Sequence, residues 1–127
     1  MKKKNLKKLV RDRVINQLIK EGTQFSARGC RDDYEAVKLL AEKLVEESKE
    51  VLAEVTSTEG GSISVHKDLV KAELADVFEV FTTLMKHYKI NATQLEEQCN
   101  LKRSLAGGFN DMIYLEWVEE KPVTSES

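Results

Sequence analysis

The sequence has little of what tight turns, disulfide frameworks and membrane spans require. Its 127 residues include 1 proline, 6 glycines and 2 cysteines, and 6% of them are aromatic. An all-β sandwich or barrel needs many turns and uses more proline and glycine, so the composition argues against that class. Because Cys30 and Cys99 form neither a disulfide framework nor a metal-binding pair, we expect reduced thiols and an intracellular protein.

The sequence also lacks long apolar segments and an excess of basic residues, which limits the compartments and binding partners to expect. No apolar run approaches the ~18 residues of a membrane span, and no apolar core follows the basic N-terminus as it does in a signal peptide. Lys and Arg number 20 and Asp and Glu number 22, for a net charge of −2, whereas nucleic-acid binders usually carry a basic excess. We therefore expect a cytoplasmic protein that binds neither a membrane nor a nucleic-acid polymer.

Helical periodicity is what the sequence has in abundance. Apolar residues recur at intervals of three and four over most of the chain, and each such stretch predicts an amphipathic helix. Capping boxes at residues 32–35 and 93–96 predict helix starts, while glycines at 22 and 107–108 predict helix ends. The four predicted helices span residues 7–21, 33–55, 65–88 and 93–105.

These elements predict an all-α fold that is four-helix bundle-like, with a short extended C-terminal arm over residues 109–118. The clearest connecting loop, residues 56–64, contains the pair Gly60-Gly61. A chain of this length needs one core, so we expect a single domain over residues 1–118, followed by a flexible tail over residues 119–127.

Carboxylates stand where a helix face should be apolar. Glu73 and Asp76 share one strip of the third predicted helix with apolar neighbours four residues to either side. Glu47 and Glu50 lie on the edge of the apolar stripe of the second helix. Two antiparallel helices joined by a short loop can bring these pairs together. Burying unpaired carboxylates costs several kcal/mol each, so something cationic should face them.

Two interpretations of these acids follow from the spacing alone. Four convergent carboxylates suit a hard divalent cation, Mg²⁺ or Mn²⁺, and the Glu-x-x-His motif of di-iron bundles is absent. Alternatively, the acids are solvated charges of a Glu-rich helix, with Lys43 pairing Glu47 at i+4. The spacing leaves both interpretations open.

The order of the acidic motifs resembles a known family. Glu46-Glu47-x-x-Glu50, then 22 residues, then Glu73-x-x-Asp76 is similar to the signature of the MazG-type all-α nucleoside triphosphate pyrophosphohydrolases. Segments 8–13, KLVRDR, and 107–109, GGF, resemble the phosphoribosyl-ATP pyrophosphohydrolase-like branch. The resemblance covers residues 6–116. It departs at Ala106, where relatives in this branch often have a basic residue.

The resemblance implies a Mg²⁺-dependent enzyme, with Mn²⁺ as a possible substitute, that hydrolyses a nucleotide to a monophosphate and pyrophosphate. It also implies a homodimer or a higher homo-oligomer. Glu46 would support the metal ligands or act as a base, and either Glu46 or Glu50 would orient the attacking water. The implied metal ligands are Glu47, Glu50, Glu73 and Asp76, and the candidate contacts to the nucleotide substrate are Lys8, Arg11, Lys102 and Arg103.

Three functions stay open at this point. The first is nucleotide-pool housecleaning against non-standard or excess nucleoside triphosphates, which suits a small stand-alone domain. The second is phosphoribosyl-ATP hydrolysis in histidine biosynthesis. The third is a non-catalytic helical interaction module that retains the acids for folding, although such a module would tolerate losing one of them.

Overall fold

The computed structural model of the protein describes residues 2–57 and 66–121. No strand occurs within these two ranges, so the predicted all-α class is confirmed. The predicted loop over residues 56–64 lies outside the described residues from residue 58 onward, and so does the predicted tail from residue 122. The helices are α1 (Val14–Lys20), α2 (Asp33–Thr56), α3 (Lys67–His87) and α4 (Ala92–Ala106).

The chain divides into two compact units, Met1–Asn91 and Ala92–Ser127. The first contains α1, α2 and α3, with α2 packed along α3, which is consistent with the predicted four-helix arrangement. The second contains α4 and the segment that follows it. None of the helices in the described part of the chain is long and apolar enough to span a bilayer.

The first helix is shorter than predicted. It begins at Val14 rather than at residue 7. Lys7 has a left-handed backbone conformation with φ 47°, which excludes a helix through that residue, and residues 8–13 form no helix either. A turn closed by the Val14 N–H to the Arg11 carbonyl, at 3.0 Å, leads into the helix. Lys8 and Arg11 therefore lie on a non-helical segment that precedes α1.

Two arginines bind a carboxylate in the first turn of α2. The predicted cap is confirmed, since Asp32 Oδ1 accepts a hydrogen bond from the Glu35 N–H at 2.8 Å. The Glu35 carboxylate accepts from Arg28 Nη1 at 2.6 Å and from Arg31 Nη2 at 2.8 Å. The hydrogen bond from Arg28 is the largest cause that holds the pKa of Glu35 far below its ordinary value of 4.5. These hydrogen bonds hold residues 28–31 against the start of the helix.

The helices α2 and α3 run antiparallel. His66 Nδ1, at the start of α3, lies 3.2 Å from Glu54 Oε1, near the end of α2. Leu40 is the one hydrophobic residue of the described ranges that is buried. Leu52 and Leu74, both in the predicted apolar stripes, remain 62% and 50% exposed. The stripes are therefore only partly used within the chain.

In the second unit, α4 begins at Ala92, one residue before the predicted start. Thr93 is consequently inside the helix rather than at its cap, so the predicted capping box is wrong. The predicted stop is confirmed by Gly107, whose φ is +83° and whose N–H bonds to the Arg103 carbonyl at 2.7 Å. Residues 112–121 have no regular structure, whereas the arm predicted from residue 109 begins with a turn that the Met112 N–H closes to the Phe109 carbonyl at 3.2 Å.

Two helices end in the same hydrogen-bonded motif but with different residues at its left-handed position. After α1, Gly22 at φ 71° bonds to the Ile19 carbonyl at 3.1 Å, and the next N–H bonds to the Leu18 carbonyl at 3.0 Å. After α3, Lys89 occupies the equivalent position with φ 56°. A left-handed residue other than glycine costs ~1–2 kcal/mol.

We expect Lys89→Gly to raise the free energy of unfolding by about 1 kcal/mol, because glycine adopts a positive φ without steric strain. Gly22→Ala should lower it by a similar amount, since nothing lies within 4 Å of the added Cβ and only the backbone cost remains. Urea denaturation measures both. Lys89→Ala is the matched control, which removes the side chain but keeps the strain. A gain in Lys89→Ala equal to that in Lys89→Gly would contradict the backbone explanation.

Candidate metal centre

Four carboxylates converge between α2 and α3. The helix turn from Glu47 to Glu50 faces the turn from Glu73 to Asp76, and one carboxylate oxygen from each residue lies within 4.8 Å of the others. The antiparallel pairing of the two helices produces this convergence, as the spacing predicted. We refer to Glu47, Glu50, Glu73 and Asp76 as the acid cluster.

The acid cluster is partly withdrawn from water. Glu47 is 7% exposed and is the one buried charged residue of the described ranges. Its Oε2 atom and the Oε2 atom of Glu73 are both buried and accept no hydrogen bond. A buried acceptor without a donor costs ~1–3 kcal/mol, and more when it is charged. The chain itself therefore does not satisfy these two oxygens.

Two basic side chains reach the acid cluster from its edges. Lys43 Nζ lies 3.4 Å from Glu47 Oε1, and Arg11 Nη2 donates to Asp76 Oδ1 at 2.6 Å. The Asp76 and Arg11 side chains are 39% and 60% exposed, so solvent screens their attraction. The cations thus contact one oxygen each of Glu47 and Asp76, and neither reaches Glu47 Oε2 or Glu73 Oε2.

Burial and a neighbouring acid both act on Glu47. Desolvation is the largest cause that raises the pKa of Glu47, and the neighbouring Glu50 carboxyl acts in the same direction. Lys43 acts in the opposite direction and lowers the pKa of Glu47. Burial and a second acid nearby therefore both disfavour the ionised form of Glu47.

The predicted nucleotide contacts divide between the two units. Lys8 and Arg11 lie at the rim of the acid cluster, where Lys8 Nζ is 3.6 Å from Glu46 Oε1. Lys102 and Arg103 lie on α4 in the second unit, where Arg103 Nη1 donates to Asn100 Oδ1 at 2.9 Å. Their predicted role in substrate binding stays a prediction.

Glu46 takes a different position from its neighbour Glu47. Its carboxylate lies between Lys8 and Lys43, whose Nζ is 3.4 Å from Glu46 Oε1. It is not a member of the acid cluster, in line with the separate role that the resemblance gave it. Lys43 was expected only as an ordinary i+4 partner of Glu47, and its contact with Glu46 at i+3 was missed. The i+3 and i+4 spacings were the available signal.

The acid cluster fits a hard divalent cation. Its donors are all carboxylate oxygens, which Mg²⁺ and Mn²⁺ prefer, and two of those oxygens are buried without a partner. A cation between them would replace repulsion by attraction. No histidine of the described ranges belongs to the cluster, because His66 pairs with Glu54 instead.

We expect Glu73→Gln to stabilise the metal-free protein by about 1 kcal/mol, because it replaces a carboxylate with one buried and unpartnered oxygen by an amide that donates to its neighbours. Asp76→Asn should change the free energy of unfolding little, because the loss of the Arg11 ion pair offsets the relief of repulsion among the acids. A raised pKa at Glu47 means that folding favours its protonated form, so stability falls as pH rises through that pKa. The gain from Glu73→Gln should therefore be larger at about pH 8 than at about pH 5.

Urea denaturation in excess chelator measures these differences, and Glu79→Gln on the exposed side of α3 is the control for the change in net charge. Destabilisation of the Glu73→Gln protein at both pH values would contradict the assignment of Glu73 as an unmatched carboxylate.

Comparisons of the chain with protein-family models, curated proteins and solved structures find no match.

Proposed function

We propose that the protein is a Mg²⁺-dependent nucleotide pyrophosphohydrolase, which converts a nucleoside triphosphate or a related nucleotide to its monophosphate and pyrophosphate. The observation that carries the proposal is the acid cluster, with its two buried and unmatched oxygens at Glu47 and Glu73. In a helical protein that kept these acids only for folding, their mutual repulsion would lower stability with no compensating function. A resident cation removes that cost.

Phosphate-binding groups lie beside the acid cluster. A cavity of about 240 Å³ separates the segment before α1 from α2, and Lys8 and Lys43 line it. Lys7 adds a third ammonium group, while Glu42 and Glu46 are the acids of its wall. These lysines would attract the negatively charged phosphate groups of a nucleotide. The ion in the acid cluster would neutralise the phosphate charge that the lysines do not.

Arg11 is suited to a second contact with phosphate. It uses one terminal nitrogen to donate to Asp76, and its side chain is 60% exposed. A guanidinium has five N–H donors in a planar fork that matches phosphate oxygens, so donors remain for a ligand. Arg11 would thereby link the substrate to the wall of the metal centre.

The residues of the acid cluster would act by charge and orientation. A divalent ion held by Glu47, Glu50, Glu73 and Asp76 would neutralise phosphate oxygens and lower the pKa of a bound water. Glu50 is exposed at the mouth of the cluster, so its carboxylate is accessible for orienting the attacking water. Glu46 is the alternative, although Lys8 and Lys43 already engage its carboxylate.

Direct attack by water is the chemistry that these groups support. Cys30 and Cys99, the only cysteines, are exposed, and neither belongs to the acid cluster. His66 pairs with Glu54, and no serine or histidine of the described ranges is hydrogen-bonded as an activated nucleophile. We therefore place the attack at the α-phosphorus, with pyrophosphate leaving in one step.

We further propose a homodimer or a higher homo-oligomer. Large apolar side chains of α2 and α3 are exposed, with Leu52 at 62% and Phe78 at 65%. Exposed apolar area of this kind usually marks an interface, and two-fold symmetry is the simplest arrangement. Light scattering during size-exclusion chromatography should give at least twice the chain mass of 14.5 kDa. A fully active monomer would contradict this assembly.

Hydrolysis in ¹⁸O-labelled water tests the function. With Mg²⁺, we expect label in the nucleoside monophosphate and unlabelled pyrophosphate beside it, because water attacks the α-phosphorus. A panel of canonical and modified nucleoside triphosphates and phosphoribosyl-ATP identifies the substrate class. Mass spectrometry reads the position of the label, and excess chelator should abolish turnover.

Glu73→Gln and Glu79→Gln make a matched pair on α3 for this assay. Glu73→Gln should lower kcat/KM by more than the ~10–100-fold that the loss of an outer partner of a metal ligand costs. Glu79→Gln should leave kcat/KM unchanged. Label in pyrophosphate, or diphosphate and orthophosphate as first products, would contradict the assignment. Failure to turn over any member of the panel would favour the non-catalytic module.

A further inference from the structure

Lys43 contacts two carboxylates at once, because it precedes both by about one helical turn on α2. Its Nζ lies 3.4 Å from Glu46 Oε1 and 3.4 Å from Glu47 Oε1. The Lys43 side chain is 18% exposed, whereas a surface lysine normally extends into water. Lys43 is therefore held in place rather than free to sample many rotamers.

The two oxygens of Glu47 have different surroundings. Oε1 lies against the Lys43 ammonium group, whereas Oε2 is buried and accepts no hydrogen bond. The terminal torsion of a glutamate is broad, so the backbone and the stem do not by themselves fix the plane of the carboxylate. An ammonium group beside Oε1 restricts that plane and leaves Oε2 without a donor from the chain.

We propose that Lys43 is a positioning residue for the metal centre: it orients the Glu47 carboxylate so that Oε2 points to the ion, and it holds Glu46 beside it. The inference rests on the proposed function only for the presence of a divalent ion. Lys8 contacts Glu46 from the other side, at 3.6 Å, so an alternating row of charges runs from Lys8 through Glu46 and Lys43 to Glu47.

Positioning and simple charge repulsion predict opposite effects when Lys43 is removed. The Lys43 ammonium group repels a divalent cation, so its loss should tighten metal binding if charge alone mattered. Loss of a group that orients a ligand instead weakens metal binding, typically by ~10–100-fold. The sign of the change therefore decides between the two roles.

The test is a calorimetric titration of the full chain with Mn²⁺, without nucleotide. We expect Lys43→Met to weaken Mn²⁺ binding by at least about tenfold. Lys43→Arg keeps a cation at this position and should stay within about threefold of wild type. Lys49→Met removes the same charge from an exposed position on α2 and should leave the affinity unchanged. Circular dichroism checks folding, and if Lys43→Met fails to fold, Lys43→Gln takes its place with the same expected loss.

Equal or tighter Mn²⁺ binding by the Lys43→Met protein, or by Lys43→Gln in its place, would overturn the positioning role. Absence of Mn²⁺ binding by the wild-type chain would overturn both this role and the metal centre. If the wild-type chain binds Mn²⁺ yet hydrolyses no nucleotide, the proposed reaction fails while the loss of affinity in Lys43→Met still supports the positioning role. Binding and turnover thus report on separate claims.

Discussion

The carboxylates of Glu47 and Glu73 face each other across the interface between two packed helices, and neither has a donor for its inner oxygen. Most interfaces of this kind are apolar, because burying a charged group without a partner costs several kcal/mol. Here the polar centre is placed by helical spacing, with Glu50 and Asp76 completing the set on either helix. The surrounding apolar contacts must offset this cost for the α2–α3 pair to form.

Compensation within the chain is incomplete. Lys43 and Arg11 contact Glu47 Oε1 and Asp76 Oδ1, respectively. A cation between the helices would satisfy the unpartnered oxygens of Glu47 and Glu73 and convert a destabilising centre into a stabilising one. Functional sites often carry such a cost, since groups arranged to bind a ligand are poorly arranged for stability without it. Binding of such a cation would therefore be coupled to folding.

The segment before α1 brings basic side chains to the helix pair. Lys8 and Arg11 lie on non-helical backbone and contact carboxylates of α2 and α3, respectively. A helix over this stretch would have imposed its own spacing on the two side chains.

Helix periodicity was enough to predict α2 and α3 to within about two residues at each described end, because long amphipathic patterns leave few alternatives. The acid cluster followed from the same periodicity, since antiparallel helices bring matching turns together. The start of α1 was predicted too early, because the apolar spacing already begins at Leu9 and Val10, before the helix that starts at Val14.

Side-chain choices were harder to predict than helices. The sequence predicted Glu35 as a capping residue. Its carboxylate instead accepts hydrogen bonds from Arg28 and Arg31, whose positions depend on the conformation of the preceding loop. Lys43 had two acidic partners at helical spacing, and its Nζ lies 3.4 Å from an oxygen of each. Such selections depend on tertiary packing, which composition and spacing do not encode locally.

The central claim, that the buried acids form a cation site, is tested most directly by anomalous diffraction from crystals grown with Mn²⁺. The account predicts an anomalous peak between α2 and α3, within coordination distance, ~2.0–2.3 Å, of oxygens from Glu47 and Glu73. A fully refined structure with saturating Mn²⁺ and no peak there, or with a basic side chain inserted between the two carboxylates, would contradict it.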